Sequence, residues 1–299
     1  MAATAKARQV RETKLKTRGK RLNRSFGGSL FIFLVLSLFG IFMLLPMVYS
    51  ISMSLKPLDE LWYFPPKFLV ENPTLKNFTD LFKVMSTSWV PFPRYIFNTV
   101  FISVVGTGGH VLLSSMCAYG LAKFRFPGNK AMFNMVVYSL MFTATVTAIP
   151  SFLVIKELGW IDSYLSLIVP AFAYPLGLYL MKQFMEQMVP DTILEAARID
   201  GSNEFLLFFR IVMPMVKPAW LTLIIFSFQN LWNMGASVYI YDEKLKTFNY
   251  ALSQILAGGV ARTGTAAAAT VIMMLVPILL FLITQSNIVE TMSTSGMKD

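Results

Sequence analysis

Six stretches of this chain, around residues 29–55, 98–122, 131–155, 165–181, 219–240 and 266–288, contain no Asp, Glu, Lys or Arg. An α-helix rises about 1.5 Å per residue, so about 20 apolar residues cross the roughly 30 Å hydrocarbon core of a bilayer. Within that core an unpaired amide or carbonyl costs several kcal/mol, and a helix pairs all of them inside one segment. The pattern therefore predicts an all-α polytopic membrane protein with six transmembrane helices over residues 29–288. The composition agrees, since 55% of the residues are hydrophobic and 14% charged, against about 25% charged in soluble domains. The fourth stretch is short and holds Pro170, Pro175 and Gly177, so it is expected to be kinked or tilted.

The cations set the orientation, because Lys and Arg near span ends are retained on the cytoplasmic side. Residues 1–28 carry nine Lys or Arg against Glu12 alone, and the loop 123–130 adds Lys123, Arg125 and Lys130 with no acid. The loop 56–94 instead balances Lys56, Lys67, Lys76, Lys83 and Arg94 against Asp59, Glu60, Glu71 and Asp80. The amino terminus is thus expected inside, loop 56–94 outside, and the tail 289–299 inside after six crossings. A net charge of +10 does not imply a nucleic-acid partner here, because nine cations lie in the amino-terminal arm and no soluble domain offers a binding surface. Anionic lipid headgroups and topology account for that arm. The first apolar run starts after residue 28 with no small-residue cleavage site behind it, and is expected to be retained as a helix. Cys117, the single cysteine, excludes an internal disulfide; within an apolar span it is read as a packing residue.

Between the fourth and fifth spans, residues 185–217 form a polar interlude whose core, DTILEAARIDGSNEFLLFFRIVMPMVKP at 191–218, reads as helix, glycine turn, helix and proline stop. Gly201 falls where the chain reverses, a place for left-handed backbone. Ser202 is placed to cap the second helix. Phe205, Phe208, Phe209 and Val212 share one helical face, expected to be buried, and Ala196 and Ala197 keep the first helix slim. Glu195, Ala196, Ala197, Asp200, Gly201, Phe208, Ile211 and Pro214, with Pro218 closing, resemble the EAA loop of ABC-importer permeases. The resemblance implies that this element docks on an ATP-hydrolysing subunit and couples it to the spans. It implies that Glu195 pairs with an arginine of that subunit, whereas Asp200 or Arg198 could instead serve the loop's own fold.

Further stretches widen the resemblance to nearly the whole chain. The external segments LWYFPP (61–66), NPTLKNFTDLF (72–82) and WVPFPRY (89–95), AYGLAKFRFPGNK (118–130), the run from Pro150 to Asp162 and the tail QSNIVETMSTSGMKD (285–299) are similar to carbohydrate importers. They point to the smaller, six-span, maltose-type permease, although the tail departs from that type in wording. The family implies a second homologous permease subunit, two ATP-binding subunits and an extracellular or periplasmic solute-binding protein. It also implies an oligosaccharide cargo and a bacterial or archaeal cytoplasmic membrane. The external loop and tail suggest oligosaccharides released from polysaccharides, uronic-acid-containing ones included.

Other chemistry is poorly provided for. No Gly-x-x-x-x-Gly-Lys-Ser/Thr occurs, so ATP and Mg belong to partner ATPase subunits, and this chain itself is expected to need no cofactor. The run Gly106-Thr107-Gly108-Gly109 lies inside an apolar span without a following lysine and suits close helix packing. His110 is the only histidine, which leaves no multi-histidine metal site; it serves either as a hydrogen-bonded structural group or as a functional one. An ion-driven secondary transporter would place ionisable groups at membrane depth, and an intramembrane enzyme would need a paired base and nucleophile. Neither set is present in the six stretches. Gln229, Asn230 and Asn233 share one arc of the fifth span beside Trp232. Amides beside an aromatic ring can take sugar hydroxyls and a stacked sugar face, and can equally serve interhelical hydrogen bonds.

Overall fold

The computed structural model describes residues 26–86, 90–235 and 237–295. The expected basic arm lies almost wholly outside the described residues, as does the end of the tail. In chain order the helices are α1 (Phe26–Leu55), α2 (Leu58–Leu61), α3 (Lys76–Ser86), α4 (Phe92–Lys123), α5 (Asn129–Ser139), α6 (Ala144–Glu157) and α7 (Leu165–Phe172). There follow α8 (Pro175–Met188), α9 (Asp191–Ile199), α10 (Glu204–Leu207), a π-turn (Phe208–Val212) and α11 (Met213–Met215). α12 (Lys217–Trp232), α13 (Phe248–Ala257) and α14 (Thr263–Ser295) complete the chain. Every regular element among the described residues is helical, and the protein is an all-α membrane protein.

Residues up to Tyr49 form one unit and Ser50 onward a second. The described part of the first is the apolar body of α1, which carries no charged residue. Four helical segments are long and apolar enough to cross a membrane: α1, α4, Leu165–Met188 and Thr263–Gln285. Two bent pairs raise the number to six if each is one span: α5 with α6, bent by 111°, and Glu204–Met215 with α12, bent by 81°. The third expected span is thus two helices. Thr143, at the start of α6, is extended (φ −78, ψ 153), and the Ser139 hydroxyl donates to the Val136 carbonyl at the end of α5, so the helix is interrupted between them. The fourth expected span is interrupted at Ala173–Tyr174, before Pro175, and extends to Met188. The fifth helix stops at Trp232 rather than 240. Beyond it, side chains take over the backbone groups: Asn249 Nδ2 donates to the Asn233 carbonyl (2.6 Å) and the Thr247 hydroxyl to that of Met234 (2.8 Å).

α4 is the centre of the second unit, packed against α7, α8 and α12. Small residues permit the approach. A Cβ added to Gly106 would strike Leu231, and one at Gly109 would strike Phe172, so two glycines of the 106–109 run serve close packing as expected. Gly108 has open space. Near Phe92, α4 joins α3, α12, α13 and α14 in a core including Leu81, Phe228, Trp232, Phe248 and Ala269. Near Tyr119 it joins α8, α9 and α12 in a separate core including Met181, Met185, Leu194, Leu207 and Val212. Cys117 does not pack inside the chain: it is exposed, because the apolar face of α4 that carries it points away from α8 and α12.

The end of α4 near Phe92 is polar and orders the segment after α12. Asn98 Nδ2 donates to the carbonyls of Lys244 and Lys246, both at 2.8 Å, and Asn98 Oδ1 accepts from Tyr164 Oη at 2.6 Å. The Asp162 carboxylate accepts the backbone N–H groups of Tyr241 (2.5 Å) and Asp242 (2.8 Å). These bonds satisfy backbone that has left the helix.

Candidate functional site

The polar interlude folds as one block. α9 ends in a closed turn: Ser202 N–H donates to the Ala197 carbonyl and Gly201 N–H to that of Arg198, both at 3.0 Å, with Gly201 at φ +84. This is the geometry in which a glycine follows a helix end. The next helix is capped by Asn203, whose side chain accepts the Leu206 N–H at 2.8 Å; Ser202, the expected cap, instead closes the turn with its own amide.

The face the second helix buries also differs from the expected one. Leu207, Phe208 and Val212 are buried, whereas Phe205 is 67% and Phe209 41% exposed. Phe205 and Phe209 each lie two residues, about 200°, from buried Leu207 and so face outward, and the π-turn, in which Met213 N–H reaches back five residues to Phe208, brings Val212 onto the buried face. Pro214 follows and has no N–H to continue an α-helical ladder, so the turn before it widens and the register shifts. Ile211 is partly buried and Pro214 exposed.

Two polar anchors fasten the block to α4. Lys123, its side chain only 5% exposed, donates to the Val189 carbonyl (2.6 Å) and to Asp191 Oδ1 (2.8 Å). Tyr119 Oη donates to Glu204 Oε2, and Arg198 Nε to Glu204 Oε1, both at 2.7 Å. Lys123 beside Asp191 holds that carboxyl below its ordinary range, and Arg198 does the same for Glu204. Arg198 therefore serves the loop's own fold. Beneath the anchors Leu194, Leu207, Phe208, Val212 and Val216 are each at most 4% exposed. At about 1.5–3 kcal/mol per buried apolar side chain, the five contribute at most about 15 kcal/mol.

The outward surface carries Glu195, Ala196, Asp200 and Gly201, all exposed, with Ala197 partly so. It also carries Ile199, 86% exposed, and Phe205. Reading the sequence left Ile199 out; its signal is its place on α9, about 140° around the helix from buried Leu194.

The amides of α12 and its end are exposed: Gln229, Asn230 and Asn233. Asn233 keeps its place in the arc, since its N–H donates to the Gln229 carbonyl at 3.1 Å. Asn230 lines an open cleft of about 420 Å³ together with Ser166, Tyr174, Ser237 and Tyr239. Trp232 is not brought together with them. It is 5% exposed, its Nε1–H donates to the Met273 carbonyl at 2.9 Å, and its ring stacks on Phe228 at 5.4 Å. Two residues beyond Asn230, a helical side chain points to the opposite face, which here is the core against α14. Trp232 therefore offers no open stacking face.

His110 is fully buried, with Nδ1 3.2 Å from the Phe172 carbonyl. No group of three His, Cys, Asp or Glu able to hold a metal occurs among the described residues.

Residues 110–294 match the family described as "Binding-protein-dependent transport system inner membrane component". The chain is 31% identical to the polygalacturonan/rhamnogalacturonan transport system permease protein YtcP of Bacillus subtilis, over 78% of this chain and 79% of that one. It is 28% identical to the arabinooligosaccharides transport system permease protein AraQ of the same organism, over 89% and 93%. A solved bacterial ABC transporter involved in the import of the acidic polysaccharide alginate shares the fold, with a TM-score of 0.74 at 22% identity, covering 88% of this chain and 98% of that one. A second, of the alginate transporter with an alginate pentasaccharide-bound periplasmic protein, gives 0.56 at 16% identity, over 85% and 92%. The family match over residues 110–294, more than half of the chain, shows that it belongs to the binding-protein-dependent inner membrane components, the permeases of ABC importers, transport subunits rather than enzymes.

Proposed function

We propose that this chain is a permease subunit of an ATP-driven carbohydrate importer that forms the translocation pathway with a second, homologous permease and couples to two ATPase subunits through the block 189–216. The observation that carries the coupling is that block's construction: a rigid element anchored by Lys123 and Tyr119 to α4 that presents Glu195, Ile199 and Phe205 outward. A force on a flexible loop would be absorbed locally, whereas a packed element moves as a body. α8 enters the block through Val189–Pro190 and α12 leaves it after Val216. Displacement of the block by closing ATPases therefore reaches the second, fourth and fifth spans together, and alternating access follows. Glu195 supplies a charge-assisted contact to an ATPase arginine; Ile199 and Phe205 supply the apolar part.

The distribution of Lys and Arg supports a cytoplasmic block and cytoplasmic termini. The cargo class is oligosaccharides released from polysaccharides, uronic-acid-containing ones among them. The names of YtcP, AraQ and the alginate transporter support this class. A solute-binding protein on the outer side selects the cargo, and the amides Gln229, Asn230 and Asn233 line its path.

The test is purification followed by reconstitution. The chain is expected to copurify with a separate ATPase and to show uptake that stops when that ATPase is disabled. Glu195→Ala should impair cargo-stimulated hydrolysis and uptake without affecting membrane insertion. Uptake that persists without the ATPase would refute the reading, and binding measurements on the cognate solute-binding protein would identify the cargo.

A further inference from the structure

The fourth span is interrupted where α7 ends at Phe172 and α8 begins at Pro175. Pro175 has no N–H to return to the carbonyl of residue 171, and Tyr174 is extended (φ −64, ψ 115). At this interruption the Phe172 carbonyl meets a side chain from another span, His110 Nδ1 of α4 at 3.2 Å. A carbonyl only accepts, so Nδ1 carries the proton and Nε2 the lone pair. Ser114 Oγ, at 3.3 Å, can share the Nδ1–H. Nε2 is buried and has no hydrogen-bond partner among the described residues. It lies against Gly177, where an added Cβ would collide with it. The imidazole is thus held by one hydrogen bond at the joint and seated on a glycine of the helix beyond it.

We infer that His110 is a positioning residue that pins this joint, so that movement of α8 is passed to α7 rather than lost between them. The inference rests on the coupling reading above, because α8 runs directly into the block. The imidazole is the bond across the joint, and Gly177 is the space that lets α8 come close enough for α4 to supply it. Packing alone would explain a buried ring but not the choice of nitrogen.

The test uses the importer reconstituted in lipid nanodiscs with its ATPase and binding protein, and reads the stimulation of ATP hydrolysis by cargo-loaded binding protein. Asn places an N–H near the position of Nδ1, whereas Gln places one near Nε2. His110→Ala and His110→Gln are expected to lose about fivefold in stimulation, the factor one neutral hydrogen bond of about 1 kcal/mol represents. His110→Asn is expected to stay within about twofold of wild type, with basal hydrolysis similar in all three. Gly177→Ala should show the defect alone and be relieved in part by His110→Asn, whose shorter side chain vacates the space of Nε2 while the contact with Leu223 remains. Wild-type stimulation in the Ala or Gln variant, or equal loss in Asn and Gln, overturns the pin. Failure of both the Asn and Gln variants to assemble makes the ring a packing group and overturns it too. Gly201→Val separates the two claims. Loss of stimulation there with full stimulation in His110→Ala removes the pin and leaves coupling standing, while stimulation kept in both Gly201→Val and Glu195→Ala removes the coupling reading itself.

Discussion

Gly201 offers a test of the proposed coupling block that isolates the backbone. Its φ of +84 lies in the left-handed region, and a Cβ added there would meet nothing within 4 Å. A side chain at this position therefore clashes with no neighbour, and its cost is the conformational one alone. For an L-residue that cost is about 1–2 kcal/mol, smaller for Asn and larger for β-branched side chains. Gly201→Asn should behave close to wild type, Gly201→Ala should lose about 1 kcal/mol and Gly201→Val about 2 kcal/mol or more. These losses correspond to about 5- to 30-fold in the population of the closed turn. The turn carries Ser202 and Asn203 into the second helix, so an open turn misplaces Glu204 and with it the bond to Tyr119. Thermal unfolding of the assembled complex and initial rates of ATP-driven uptake would measure the series, with membrane yield as the insertion control. Asn as damaging as Val would refute the backbone argument and place a partner contact at this point. Full uptake in Gly201→Val would refute the part played by the turn.

Three further outcomes are expected. In a Cys117→Ser background, a cysteine at Lys76 should react with an impermeant thiol reagent in intact cells and one at Ser202 should not; the reverse pattern would overturn the topology. The Asp191 carboxyl is held below its ordinary value of 3.8, first by the hydrogen bond from Lys123. Its contribution is therefore present above that value and lost as pH falls through the lower folded value. The protection of residues 189–203 against hydrogen exchange, relative to the intrinsic rate at each pH, should accordingly be flat from about pH 5 to 8 and fall only in stronger acid. Lys123→Met should lower that protection across the neutral range, and protection that already falls near pH 6 would contradict the assignment. Asn233→Leu should change the uptake of one oligosaccharide relative to another, because the amide faces the surface; an unchanged preference at lower protein yield would make it an assembly residue.

The division between what could be read from residues and what could not follows the range of the forces involved. Exclusion of charge from a bilayer acts on each segment separately, so the apolar stretches and their all-α character were legible in composition. Gly201 was legible for the same reason, since a left-handed residue after a helix is a demand of the local backbone. The interruption of the fourth span was legible in Pro175. The 111° bend between α5 and α6 was not, because the residues from 139 to 143 carry no strong breaker. The π-turn at Phe208–Val212 set which residues after Phe208 are buried, and it depends on Pro214 acting together with the packing of Phe208 against Tyr119. Helical spacing correctly put Gln229, Asn230 and Asn233 on one arc, but periodicity does not say which arc meets the core. That was decided by α14, whose Met273 carbonyl takes the Trp232 indole. Likewise a lone histidine in an apolar span has no partner visible nearby in the chain; the carbonyl it meets is 62 residues away in sequence. Local chemistry sets which groups need a partner, and only the tertiary arrangement supplies one across such a separation.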